Sequence, residues 1–261
     1  MKRSQSIVGA ISAVLLVVVT GCGSDSATPT TSTSTPAGGT LTVYAAASLK
    51  QTFTDIGEQF KTDNSGWSVD FTFAGSSDLV TQLTQGATAD VFASADNKNM
   101  DKAAKAGLLA GDPVNFASNT LTIVVAPGNP KQVTSFADLD KPGLNVVACA
   151  PQVPCGSATE KVEQATKVAL NPVSEESSVT DVLNKVTTGQ ADAGLVYVTD
   201  ALGAGDKVAK VDFPEAAAAV NTYPIAVLKT AADAAAARKF VDLVTGESGR
   251  KILSQAGFAK P

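Results

Sequence analysis

Four short openings carry the residues best suited to chemistry in this chain, and all four offer hydrogen-bond donors. Ser48 stands within Leu41–Gln51 (LTVYAAASLKQ), where an apolar run gives way to a helical pattern. Gly75-Ser76-Ser77 ends the alternating run Val69–Phe73 before a helix that carries Leu79, Val80 and Leu83. Ala150–Ser157 (APQVPCGS) follows the apolar run Asn145–Cys149, and Ser177-Ser178-Val179 opens a further helix. Ser48 with Gln51, and Ser178 with Asp181, have the spacing of a capping box. A helix start leaves backbone N–H groups without intrahelical partners, and the helix dipole makes such an end attractive to anions.

A site of hydroxyls and N–H groups alone suits a fully deprotonated oxyanion. It disfavours hydrogen phosphate, whose proton needs an acceptor, because a mismatched buried polar group costs about 1–3 kcal/mol. Carboxylates are few among these openings; Asp78 would supply that acceptor if it faced inward, and Lys50 is the nearby cation. The 261 residues contain no histidine, which removes the commonest general base, the usual catalytic triads and imidazole zinc sites. The net charge of −5 argues against nucleic acid as a partner.

The elements that must position these openings alternate. Strands are expected at Leu41–Ala45, Val69–Phe73, Asp90–Ala93, Leu121–Val125, Asn145–Cys149, Gly194–Val198 and Ile225–Leu228. Helices are expected at 49–61, 77–85, 98–106, 157–169, 178–188 and 233–245, so the class is α/β with mostly parallel sheets. No internal repeat is visible. Leu121–Val125, followed by Pro127-Gly128-Asn129-Pro130, and Tyr223-Pro224-Ile225 read as places where the chain changes domain. This gives a first lobe of 40–120 plus 223–261 and a second of 121–222, hinged on two crossings and closing on a ligand between them.

The front of the chain is different. Lys2 and Arg3 precede the apolar stretch Ile7–Val19, so residues 1–21 read as a secretory signal. Val19-Thr20-Gly21-Cys22 resembles the lipobox of bacterial lipoproteins, which makes Cys22 the lipidated first residue of the mature chain. Two or more acyl chains would give a stable membrane anchor. Gly23–Gly39 contains only Gly, Ser, Asp, Ala, Thr and Pro. Residues 22–39 are therefore expected to be the anchor and a disordered linker, roughly 20–25 Å end to end.

Ala45-Ala46-Ala47-Ser48-Leu49, Phe73-Ala74-Gly75-Ser76-Ser77, Ala89–Asp96 (ADVFASAD), Val153-Pro154-Cys155-Gly156, Gly194–Ala201 (GLVYVTDA) and Tyr223–Val227 occur in an order that closely resembles the molybdate-binding proteins of bacterial ABC importers. The resemblance runs from about residue 40 to Gly257-Phe258. It implies a two-lobed periplasmic-binding-protein fold, each lobe a mostly parallel sheet flanked by helices. It also implies capture of molybdate or tungstate, and delivery to a membrane permease and its ATPase. Carried over position by position, it places oxyanion-contacting hydroxyls at Ser48 and Ser76, backbone N–H donors at Cys155 and Val179, and a phenol donor at Tyr197. Alanine is more usual in the family where this chain has Cys155. The expectation is a monomeric, lipid-anchored, extracytoplasmic receptor without catalytic residues, cofactor or cation site.

Cys149 and Cys155, six positions apart in an exported chain, most simply form a disulfide that rigidifies the ligand loop, with free thiols or redox sensing as alternatives. Sulfate is the rival cargo, since it has the same charge and no proton, and only pocket size separates the two. An exported serine hydrolase using Ser48 and Lys50 is the rival of another class; its Ser-x-Lys spacing is not the Ser-x-x-Lys of lactamase-type sites.

Overall fold

The computed structural model describes residues 38–261; Cys22, the expected signal and nearly all of the expected linker lie outside the described residues. Ten strands and eight α-helices follow in the order β1 (Gly39–Ala46), α1 (Lys50–Asp63), β2 (Trp67–Ala74), α2 (Ser76–Thr84), β3 (Val91–Ala93), α3 (Asn97–Lys105), β4 (Val114–Asn119) and β5 (Leu121–Val125). Next come β6 (Val146–Cys149), α4 (Pro154–Thr166), β7 (Ser174–Glu176), α5 (Val179–Thr187), β8 (Ala193–Tyr197), α6 (Val198–Ala204), β9 (Ala209–Val211), β10 (Asn221–Val227), α7 (Ala234–Thr245) and α8 (Glu247–Gln255).

Two five-stranded sheets result, in the orders β2-β1-β3-β10-β4 and β7-β6-β8-β5-β9. The orders superpose strand for strand, with β1 matching β6, β2 matching β7, β3 matching β8, and β10 matching β5. The fold thus contains a topological repeat that has no counterpart in the sequence.

The sheets are mixed, which corrects the expectation of mostly parallel ones. β1 pairs in parallel with β2 and β3, and β6 with β7 and β8. β10 runs antiparallel to β3 and β4, and β5 antiparallel to β8 and β9. The reason is connectivity. Strands linked through helices within one sheet must run the same way. β5 and β10 are the first strands after the chain crosses from the other sheet, at Thr120 and between Val211 and Asn221, and they enter from the opposite end.

Apolar stripes fix the helices to the sheets. Leu49, Phe53, Ile56 and Phe60 are all at most 1% exposed and share the first sheet's core with Phe116 of β4 and Phe240 of α7. Val179, Val182 and Val186 do the same for α5 on the second. The short edge strands β4, β7 and β9, and helices α6 and α8, had no prior expectation. β7 (SEE) is too polar to read as a strand, which is how an edge avoids unwanted pairing. β10 starts two residues before Tyr223, and its register shifts between Tyr223 and Pro224, where proline has no N–H for the ladder.

Candidate functional site

The ends of six strands converge on one small cavity between the sheets. Its walls are Ala46, Ala47, Ser48, Gly75, Ser76 and Ala95 from the first sheet's side, and Val153, Pro154, Cys155, Val179 and Tyr197 from the second. It measures about 10 Å³ as swept by the centre of a water-sized sphere, room for about one water molecule. No charged side chain lines it. Ser48, Ser76, Cys155, Val179 and Tyr197, far apart in sequence, are all brought to this one place; Lys50 and Asp78 are not among the lining residues.

Each wall residue is placed by a local device. Gly75 is the N-cap of α2, which makes Ser76 its first residue, and Ser76 Oγ accepts from the Ala95 N–H at 3.0 Å. Ser76 keeps its own proton free to donate. Val179 is the first residue of α5 after Ser178, whose Oγ accepts from the Asp181 N–H at 3.3 Å. Pro154 occupies the first position of α4, where its missing N–H costs nothing, and Cys155 follows. The helix therefore starts three residues earlier than expected. First-turn N–H groups of Cys155 and Val179 have no intrahelical partner.

Ser48 corrects the sequence reading. It lies in a 3₁₀ turn, Ala47–Leu49, and makes no capping bond to α1. Its hydroxyl instead meets the Tyr223 hydroxyl at 3.0 Å, while Gln51 turns to Asp55.

Cys149 and Cys155 are joined in a disulfide, with Cα atoms 5.6 Å apart. This ties the end of β6 to the first turn of α4. Beside it Gly156 permits a close approach, since a Cβ there would lie 2.0 Å from the Ala150 carbonyl oxygen. Because its sulfur is bonded, Cys155 can offer the cavity no thiol.

Burial sets the electrostatics. Desolvation holds the Tyr197 phenol well above the ordinary tyrosine value, so it stays protonated, and pushes Tyr223 in the same direction. Behind the walls, burial raises the Asp96 carboxyl, and it pushes Asp200 up to about 7 although the Tyr197 N–H donates to Asp200 Oδ2 at 3.0 Å. Burial thus disfavours negative charge on either carboxyl behind the walls. Among the described residues no group of three or more histidine, cysteine, aspartate or glutamate residues is placed to hold a metal ion.

Asn221 was missed by sequence reasoning. It sits at 3% exposure between the walls and contacts both, and nothing in Val220-Asn221-Thr222 marks it. Ala95 was quoted within a motif but given no role.

Two sheets of matched topology, with a small neutral cavity between their strand ends, define a two-lobed solute receptor. The chain matches the model of the bacterial extracellular solute-binding proteins over residues 41–259 and belongs to that family. It is 62% identical over 253 residues to the molybdate-binding protein ModA of Mycobacterium tuberculosis (strain ATCC 25618 / H37Rv), with 97% of each chain covered. It is 32% identical over 231 residues to the protein of the same name from Escherichia coli (strain K12), covering 84% of this chain and 89% of that one. Among solved structures, the Azotobacter vinelandii periplasmic molybdate-binding protein superposes with a TM-score of 0.71 at 25% identity, over 85% of this chain and 99% of that one.

Proposed function

We propose that this chain captures one molybdate ion, or the isostructural tungstate, between its lobes and presents it to the permease and ATPase of an ABC importer. The observation that carries the reading is the donor set. Ser48, Ser76, Cys155, Val179 and Tyr197 line one small cavity with no cation and no acceptor carboxylate on its surface. A dianion there is held by oriented N–H and O–H dipoles, which act strongly where water is excluded. The relatives named molybdate-binding support the same cargo.

In this reading the lobes, 40–120 with 223–261 and 121–222, part to admit the ion and close on it. Lipid on Cys22 holds the receptor, as a monomer, at the outer face of the cytoplasmic membrane. The receptor carries out no catalysis and uses no cofactor.

The test is calorimetry and thermal shift of the described domain against molybdate, tungstate, sulfate and phosphate. A ligand at about 100 times its dissociation constant should add roughly 2.7 kcal/mol of stability. Response to molybdate and tungstate alone is the expected result. A stronger response to sulfate reassigns the cargo, and silence toward all four overturns the reading.

A further inference from the structure

We infer that Asn221 is a positioning residue that locks the Tyr197 hydroxyl as a donor into the cavity. The inference rests on the reading that the cavity holds a fully deprotonated oxyanion. Asn221 Nδ2 lies 3.0 Å from the Ala95 carbonyl oxygen, 3.2 Å from the Pro154 carbonyl oxygen and 2.7 Å from the Tyr197 hydroxyl oxygen. Two of these partners are peptide carbonyls, which only accept. Their positions settle which end of the amide faces them: it must be the NH₂ group.

An amide nitrogen has no lone pair to offer, so all three contacts run outward from Asn221; its two protons serve three acceptors, one proton being shared, and the shortest contact is to the Tyr197 oxygen. That leaves the single phenol proton with no role toward Asn221. Tyr197 lines the cavity, and its raised pKa keeps the proton in place. The hydroxyl therefore accepts from Asn221 behind it, and its proton is left to donate, toward an oxyanion in the cavity when one is bound and otherwise to the neighbouring Tyr223 hydroxyl.

A tyrosine free to rotate could accept from a protonated anion as readily as it donates to a deprotonated one. Asn221 removes that choice. It also makes the arrangement conditional on closure. Asn221 begins β10 of the first sheet, whereas Pro154 and Tyr197 belong to elements of the second. The donor is fully set only when the two walls meet.

The test is a double-mutant cycle read by calorimetry with sodium molybdate: wild type, Asn221→Leu, Tyr197→Phe and the double variant, with ligand-free melting temperatures recorded for each. The expected result is at least a tenfold loss of affinity for Asn221→Leu in the tyrosine background, and less than a twofold loss when Tyr197→Phe has already removed the hydroxyl. Equal losses in both backgrounds would overturn the inference, because Asn221 would then act on the fold and not through Tyr197. Should Asn221→Leu fail to fold, Asn221→Ala takes its place in the same cycle with the same two outcomes. Absence of molybdate binding by the wild type would overturn the proposed function itself, whereas wild-type binding with an uncoupled cycle sinks only the role of Asn221.

Discussion

The two walls of the cavity occupy matched places in the two sheets, yet they offer different chemistry. The end of β1 presents Ser48 where the end of β6 presents Cys155. The end of β2 presents Ser76 where β7 presents Val179, and Ala95 after β3 matches Tyr197 at the end of β8. On the first wall the polar groups are hydroxyls, each supported by a partner, Tyr223 for Ser48 and Ala95 for Ser76. On the second, Cys155 has a bonded sulfur and Val179 an apolar side chain, so both can contribute only backbone N–H groups. Topology fixes where donors stand. It leaves open whether side chain or main chain supplies them, and the two solutions should fail in different ways when mutated.

The largest expected effect tests whether the walls meet at all. Gly75 has φ −58° and ψ 138°, a conformation open to any residue, so its glycine is not required by the backbone. A Cβ added there would lie 2.1 Å from the Ser177 carbonyl oxygen on the opposite wall. Gly75→Ala should leave the ligand-free fold intact and block closure. Overpacking of about 3 kcal/mol corresponds to roughly a 100-fold loss of molybdate affinity. Unaltered affinity would mean that the walls do not approach this closely around the ion.

Next come changes that delete one donor from each wall. Ser48→Ala removes a hydroxyl; Val179→Pro removes an N–H at the first position of α5, where proline is tolerated. The preceding Ser178, at φ −148° and ψ 157°, already has the extended backbone that a following proline demands. Each variant should lose about 1.5–3 kcal/mol of binding, a charge-assisted hydrogen bond; Ser48→Ala should melt near wild type, and Val179→Pro, which also replaces a buried side chain, should melt a few degrees lower. If Val179→Pro bound molybdate as wild type does, the second wall would not act through its backbone at that helix start.

A main-chain donor also depends on a rigid path, which is where the disulfide matters. Closing so short a loop stabilises by about 2 kcal/mol on the chain-entropy account. Replacing Cys149 and Cys155 together by alanine should therefore lower the melting temperature by roughly 5 °C. It should weaken binding by less than about tenfold, since the Cys155 N–H survives and only its preorganisation is lost. A loss as large as that of Val179→Pro would give the sulfur bridge a larger share of the site than its geometry suggests.

Much of this arrangement was legible in the sequence, and what was not has a physical cause. Strand-to-helix openings are local events, so Gly75-Ser76-Ser77 announced itself through an alternating apolar run followed by small polar residues, and Ser177-Ser178-Val179 through the capping-box spacing of Ser178 and Asp181. The roles of Cys155 and Val179 came only from family resemblance, because a backbone N–H leaves no mark on residue type. Ser48 was misread as a cap because its real partner, Tyr223, lies 175 residues away. Asn221 gave no signal at all, since its acceptors come from positions 95, 154 and 197 and exist only in the folded chain.

The smallest expected effect completes the contrast between the walls. Val179 is 3% exposed and heads the apolar stripe that continues through Val182 and Val186 into the core of the second sheet. Val179→Ala removes two buried methyl groups and should cost about 1.5 kcal/mol of stability. It keeps the N–H, and Ala is a better helix former than Val, so the start of α5 should hold its place. Molybdate affinity is then expected within twofold of wild type, beside the large loss for Val179→Pro at the same position. Calorimetry on the two variants separates side chain from main chain directly: if Ala weakened binding as much as Pro, the valine side chain would be shaping the cavity, and the loss in Val179→Pro could not be assigned to the N–H.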